Sequence, residues 1–583
     1  MNRSAGRQIR VEPLREVRVS GRQGRLPVLW SVVLALLLLW PALGRGYVLS
    51  YDMVWVPDLA LRSDFLGLGS ALPRAVPSDA VVSVLDEVIP GMLLQKVVVL
   101  GALVFGAVGA ARLVPESTVV GRLVAVTLFE WSPFVAERLV IGHWPVLLGY
   151  AVVPWLVLAA RRMRVDGRVR PAVGWLLLVG SLSPSAGVAT AVVVLTHGLR
   201  RTGWRTNLLL LGLVAGANAP WVVSGLLHAG TATSDPVGAR VFALHAEGSV
   251  PGPVAALSLG GIWNSEVVPP SRTGALGWAT AVVVVALAAA GGRRWSALLS
   301  KRERVATAGC WLLGWGLATV TWLAPSAVGW LSGLVPGGGL VRDGSRLLTL
   351  CMPALVGLTA CGAAALCQRA AGRLAPLAWG TALVLLPLAL MPDVAGGMAG
   401  RLRPASYPAS YAAARESVKR QAPGSGGDVL VLPFTSYRAP GWNHGHKVLD
   451  PLGRYLTPNF VASDRLVVSG SLVEGEDARG PSIRRALQAR APALRSRLLA
   501  DQGISLVVTE RDTAQRAPSV AGRTVLDAPD LSVVRLTDPT VRAAPASWLV
   551  AMTAAWGAFL LVGVTSILLG RTSRRQRSAC NSG

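Results

Sequence analysis

Apolar residues along this chain gather into runs with few or no charges, the longest about 20 residues and so able to cross a ~30 Å hydrocarbon layer as a helix. The runs predict membrane spans over residues 26–43, 91–113, 119–131, 145–160, 207–227, 275–290, 305–323, 347–366, 374–391 and 548–570. Residues 171–199 are interrupted by Ser181-Leu182-Ser183-Pro184-Ser185, a pattern that predicts two short spans meeting at an outer turn. Broken helices of this kind are tolerated where protein or a cavity covers the freed backbone groups. The expected total is about 12 transmembrane helices, an even number that leaves both ends of the chain on one side.

Between residues 392 and 546 the pattern changes. Charge rises, the apolar runs shorten, and strand-like segments at 428–433, 504–509 and 531–536 alternate with helical patterns at 409–421 and 482–499. This predicts a folded α/β domain set between the last two spans. The fold class expected is therefore a polytopic α-helical membrane protein with an extracytoplasmic α/β domain. In the stretch 45–90, the apolar positions Leu66, Leu68, Leu72, Val76, Val81, Val82, Leu85 and Val88 predict short helices lying along the membrane surface.

Charge supplies the orientation. The formal net charge is +26, from 57 Lys and Arg against 31 Asp and Glu, but the cations cluster between apolar runs. Arg161, Arg162 and Arg164, then Arg200, Arg201 and Arg205, then Arg293, Arg294, Lys301, Arg302 and Arg304, and finally Arg571, Arg574, Arg575 and Arg577 recur after every second span. That is the positive-inside pattern, and it argues against nucleic acid as a partner. It places the basic segments 1–25 and 571–583 in the cytoplasm, and loops 45–90, 132–144, 228–274 and 324–346 outside with the domain. Seven Arg precede Leu26, and the first apolar run reads as an uncleaved span of a multi-pass cytoplasmic-membrane protein. A hydrophobic share of 52% with 15% charged residues is too apolar for a soluble multidomain chain. Cys310, Cys351, Cys361, Cys367 and Cys580 fall in spans or the tail, so the domain must rest on its own core.

Ionisable residues near a bilayer are costly, which directs attention to Glu130 and to the outer-side groups. Asp52 and Asp58 follow directly on the first span, where a carboxylate faces the mouth of an outer cavity and can act as a general base. The alternative is a helix-end carboxylate that only solvates the interface. Arg342 and Arg346 are four apart, so on a helix they share a face and can grip a phosphate, with Asp343 orienting one of them. As a plain alternative they anchor the interface. Glu137, Arg138 and His143 lie in the loop before Trp144, and a lone histidine there argues against a zinc site. In Trp442-Asn443-His444-Gly445-His446 the two histidines, read as alternate strand positions, share a face. With no third ligand visible, those four side chains suit a carbohydrate contact or a plain surface.

There is no Walker loop, no dinucleotide fingerprint and no GxSxG elbow, so no nucleotide or redox cofactor is predicted, while a divalent metal stays open. Cytoplasmic loops are short. An activated donor would have to come through the membrane itself.

On the first-loop motif Tyr51-Asp52-Met53-Val54-Trp55-Val56-Pro57-Asp58 and the later Arg342-Asp343-Gly344-Ser345-Arg346, the chain resembles the GT-C superfamily of membrane glycosyltransferases, in particular the actinobacterial arabinosyl- and mannosyltransferases. The two acidic residues are six apart, where several such enzymes have an adjacent pair. The resemblance implies a GT-C-like core and a polyprenyl-phosphate sugar as donor. It also implies a cell-envelope glycan or glycolipid as acceptor and membrane lipid as surroundings. Asp52, or second Asp58, would deprotonate the acceptor hydroxyl. Arg342 and Arg346 would hold the lipid phosphate, with His143, Arg138 and Glu137 lining the same cavity. Two competing readings remain at this point: a flippase or transporter of lipid-linked sugars, and a non-enzymatic scaffold for envelope assembly.

Overall fold

The computed structural model describes residues 21–69, 73–114, 118–230, 236–334, 339, 342–422, 426–468, 470–513, 515–541 and 543–581. Leu72, Asp235 and the first 20 residues of the basic N-terminal segment lie outside them.

Among the described residues, nine helices are long and apolar enough to cross a membrane: Gly24–Leu43, Gly91–Leu113, Val119–Ile141, Trp144–Asp166, Trp204–Leu227, Ala275–Leu298, Lys301–Leu323, Gly344–Arg369 and Ala546–Thr572. A bent pair, Ala375–Leu390 and Pro392–Gly400, makes a tenth if counted as one span. Every segment expected to be a span is helical, yet Pro171–Gly180 and Pro184–Gly198 are too short to cross singly, so the structure does not reproduce the figure of twelve. These two helices fold back on one another. A Cβ on Gly180 would sit 2.7 Å from the side chain of Thr190, ten positions ahead, an approach that a continuous helix rules out.

Packing sorts the helices. Val119–Ile141, Trp144–Asp166 and Gly344–Arg369 are mostly buried, whereas the others expose one apolar face with residues such as Leu29, Leu312 and Leu561. Such a belt is unfavourable in water and natural against lipid. Where Ala275–Leu298 crosses Gly344–Arg369, Gly291 and Gly362 let the backbones touch, and a Cβ at either would collide with the carbonyl of Leu358 or Leu287. The break at Met391 frees a carbonyl, which accepts the indole N–H of Trp131 at 2.9 Å.

The expected loop 132–144 is instead a buried helix, Pro133–Ile141. Ser132 caps it by accepting from the Val135 N–H at 3.4 Å, Pro133 occupies the first position, and Gly142 ends it with φ of 85°. In the first loop, the expected surface helices reduce to Ser78–Leu85. The loop and this helix are both held against the α/β domain. The buried Arg62 guanidinium donates to the carbonyls of Gly453 at 2.9 Å and Pro458 at 2.7 Å, and Arg454 pairs with Asp79. The stretch 324–346 likewise contains a helix, Pro325–Leu334.

The domain carries a five-stranded sheet in the order Arg523–Asp527, Leu531–Arg535, Ile504–Glu510, Asp428–Leu432, Phe460–Val461. Asp428–Leu432 runs parallel to both of its neighbours and the remaining pairs are antiparallel. Val429, Val431, Leu506 and Val508 pack toward Tyr411, Ala414 and Val418 of helix Ala409–Gln421. Leu430, Leu432 and Val507 pack toward Ile483 and Leu499 on the other face. Both faces are covered, which explains the unbroken apolar run Val429-Leu430-Val431-Leu432. The helix expected over 482–499 is two, Gly480–Leu487 and Pro492–Ala500, because Pro492 cannot sit inside a helix and takes the first turn of a new one.

Candidate active site

Asp52 sits where the membrane bundle meets the α/β domain. Its backbone N–H donates to the carbonyl of Ile141 at 3.0 Å, which ties the segment to the end of helix Pro133–Ile141. The contact requires Gly142, since a Cβ there would collide with the Met53 nitrogen and the Ser50 carbonyl. On the other side, the Tyr51 N–H donates to Lys447 O and the Leu449 N–H donates to Tyr51 O, each at 2.8 Å. The segment that carries Asp52 is thereby joined to the domain by backbone hydrogen bonds.

Around the carboxylate the structure gathers residues from four parts of the chain. His143 Nε2 lies 3.3 Å from Asp52 Oδ2 and 3.4 Å from a terminal nitrogen of Arg346. His143 Nδ1 faces Arg138 at 3.3 Å. Arginine can only donate and an ionised carboxylate can only accept, so the ring that satisfies both Arg138 and Asp52 accepts at Nδ1 and donates from Nε2 to Asp52, and Arg346 stands beside Nε2 as a charge and not as a hydrogen-bond partner. Arg138 also donates to Ser345 Oγ at 2.5 Å, Ser345 donates to Asp343 Oδ1 at 2.6 Å, and Arg346 Nε donates to Asp343 Oδ2 at 2.8 Å. Tyr437 of the domain donates its hydroxyl to Asp52 Oδ1.

Electrostatics fix the charge states. Burial alone would raise the Asp52 carboxyl, but hydrogen bonds from His143 and Tyr437, with the nearby positive charge of Arg346, hold it below the usual carboxylate range. Burial first, then Arg346 and Arg138, push His143 down to about 4, so the imidazole is neutral near pH 7. Asp343 lies at about 2, because Arg346, Arg138 and the Ser345 hydroxyl outweigh its burial. Arg138 and Asp343 are buried, whereas the side chains of Asp52 and Arg346 remain 39% and 32% accessible. A partly accessible carboxylate and a partly accessible guanidinium thus flank one neutral imidazole.

Several expected placements are corrected. Arg342 and Arg346 do not share a helix face. The 3-10 helix starts at Gly344, which leaves Arg342 outside it, and Arg342 donates to Glu476 Oε1 at 2.9 Å while Arg346 turns to Asp343. Asp58 stays apart from the cluster, paired with Arg415 at 2.6 Å and exposed. Glu137 is buried beside Glu247, which Arg272 holds at 2.7 Å, and among the described residues it has no hydrogen bond or ion pair to Asp52 or Arg346. Trp442 packs on Tyr407 and Tyr411, and Asn443 is buried, donating to the carbonyls of Leu49 at 3.2 Å and His446 at 3.1 Å. His444 and His446 are not strand neighbours. Gly441–Asn443 is a 3-10 turn followed by His444 at φ 57°, and the two rings sit 5.9 Å apart. Among the described residues no three His, Cys, Asp or Glu side chains gather as a metal site.

Sequence reasoning missed Tyr437, Ser345 and Arg74. Arg74 lies within electrostatic reach of Asp52 and shares Glu476 with Arg342, at 2.9 Å. No local pattern around Tyr437 or Arg74 marks either one. Two apolar hollows in the bundle, one lined by Val124, Leu128 and Leu383 and the other by Leu39, Met53, Val99 and Leu139, include none of Asp52, His143 and Arg346 in their walls.

No family model matches this chain, and no curated protein matches it. Among solved structures it is similar to the cryo-EM structure of the arabinofuranosyltransferase AftD from Mycobacteria, at 18% identity and a TM-score of 0.55, over 89% of this chain and 40% of that one. A mutant form of AftD aligns at 18% identity and a TM-score of 0.53, over 89% and 42%. The chain spans about two fifths of the length of that protein. At this identity the likeness bears on the fold alone: the chain is a multi-pass, mostly helical membrane protein with a sheet-bearing C-terminal region, folded like part of AftD.

Proposed function

We propose that this chain is an integral-membrane glycosyltransferase that moves a sugar from a polyprenyl-phosphate donor to a cell-envelope glycan or glycolipid at the outer face of the membrane. The observation that carries the reading is that the partly accessible side chains of Asp52 and Arg346 lie within 3.3 and 3.4 Å of the same nitrogen, His143 Nε2. The GT-C resemblance of the two motifs and the AftD-like fold add support.

The acceptor hydroxyl oxygen attacks the anomeric carbon as the bond from that carbon to the phosphate oxygen breaks. The phosphate leaves with the electron pair, and the hydroxyl proton passes to Asp52. A carboxylate held ionised is a weak base toward a resting alcohol. It becomes adequate late in the reaction, when the attacking oxygen has begun to bond and is strongly acidic. Arg346 offers its charge to the departing phosphate. Arg342, Arg74 and Glu476 form the adjoining wall, and His143 orients Asp52 without competing for the proton.

The test supplies purified protein in liposomes with radiolabelled polyprenyl-phosphate pentose or hexose and a glycan acceptor. Wild-type protein is expected to transfer label, and Asp52→Asn to lose at least about 1,000-fold in rate, or roughly 4 kcal/mol of barrier. Full activity in Asp52→Asn removes Asp52 as the base. Label that crosses the bilayer without reaching the acceptor supports a flippase instead.

A further inference from the structure

The α/β domain could be a separate binding module resting on the bundle, and the contacts of Tyr437 argue otherwise. We infer that Tyr437 is a positioning residue of the reaction centre, whose hydroxyl grips one oxygen of the Asp52 carboxylate and fixes its orientation, so that the domain completes the site. The inference rests on the proposed role of Asp52 and adds a tunable partner to it.

Each Asp52 oxygen has its own donor: Oδ2 takes the Nε2 proton of His143 from the bundle, and Oδ1 takes the Tyr437 hydroxyl from the domain. A carboxylate gripped at both oxygens by groups from different bodies has its plane fixed. Tyr437 is itself held rigidly. Tyr437–Arg438 pairs antiparallel with Val448–Leu449, and Tyr51 joins the edge of that ribbon through a parallel bridge to Val448. Arg438 reaches Asp450 at 2.7 Å and pairs with Glu510 on the central sheet. The Tyr51 and Tyr437 rings meet edge to face, 6.0 Å between centroids.

The charged and titratable groups facing Asp52 are His143 and Arg346 from the bundle, Arg74 from the first loop, and Tyr437 from the domain. Burial, followed by the charge of Asp52, pushes the Tyr437 phenol well above its ordinary range, so it stays a donor at any working pH. Losing a hydrogen bond to a charged acceptor raises the proton affinity of that acceptor. A site open to water recovers part of the loss, which leaves an upward shift of about one pH unit.

The experiment titrates the Asp52 carboxyl by infrared difference spectroscopy in proteoliposomes, with the spectrum of Asp52→Asn subtracted to isolate its band. Tyr437→Phe is expected to raise the midpoint by about one pH unit, and the acidic limb of the transfer rate should move up with it. Replacing Tyr437 with 3,5-difluorotyrosine, which keeps the shape and donates more strongly, is expected to move the midpoint down. That isostere decides the matter even where the Phe variant fails to fold. A midpoint unmoved by the isostere, or shifted upward by it, overturns the inference. Should Asp52→Asn transfer sugar at the full rate, the glycosyltransferase assignment of Asp52 fails, while the band position still judges Tyr437.

Discussion

Asp343→Asn is the most demanding probe of the cluster, because it removes one charge while preserving shape. The carboxylate accepts from Ser345 and Arg346 at 2.6 and 2.8 Å and balances the buried Arg138. Its proton affinity measures the stake. The folded-state value of about 2 against an unfolded ~3.9 corresponds to about 2.5 kcal/mol. A fully buried unpaired charge would cost 3–5 kcal/mol, and water reaching Arg346 lowers that figure, so a loss of about 2–3 kcal/mol is expected at neutral pH. The sign follows from the direction of the shift. A depressed carboxyl stabilises the fold fully above its unfolded value and loses that contribution as pH falls toward the folded one. The gap between wild type and mutant should therefore stay constant from pH 8 to about 5, shrink below about 4, and close near 2. Thermal unfolding in detergent can be followed by the intrinsic fluorescence of the 20 tryptophans, a signal that is available across this whole pH range. With an unfolding entropy of about 2.1 cal/mol/K per residue over 583 residues, a drop of roughly 2 °C is expected at pH 7. A mutant that melts with the wild type there, or a gap that widens on acidification, refutes the reasoning.

Gly142→Ala places a methyl group against Met53 and Ser50 at a φ of 85°, so sugar transfer should fall at least about tenfold, measured beside a size-exclusion profile that reports folding. His143 titrates near 4, so its neutral form prevails above that, and the rate should be flat between about pH 5.5 and 8. A limb near pH 6.5 that disappears in His143→Gln would contradict this placement. Asp58→Asn should leave transfer within about twofold of wild type and cost under about 1 kcal/mol, because Asp58 forms an exposed pair with Arg415. A large loss in that variant would return Asp58 to the reaction centre.

The membrane segments and three of the five sheet strands were legible because burial against lipid, or on both faces of a sheet, writes long apolar runs into the chain, whereas the edge strands Arg523–Asp527 and Phe460–Val461 carry no such run. Asp52, His143 and Arg346 drew notice for a related reason: charge beside apolar sequence is costly and therefore conspicuous. What local pattern could not supply was direction. Arg342 and Arg346 seemed a helical pair by spacing alone, and the helix begins only after Arg342. His444 and His446 fit an extended reading until the turn at Gly441–Asn443 intervened. Pro133 opened a helix in a stretch that its polar residues had marked as a loop, with charges that pair inside the protein. Tyr437 is an ordinary tyrosine in its own neighbourhood, and only the tertiary fold brings it to Asp52.

The hydrogen bond between Tyr437 and Asp52 links positions 385 apart, so a ribosome must add 385 residues after Asp52 before the second donor exists. A nascent chain that stops short of Tyr437 leaves Oδ1 of Asp52 without that donor, so on the proposed reading the site is completed only after the domain has been made and has folded against the bundle.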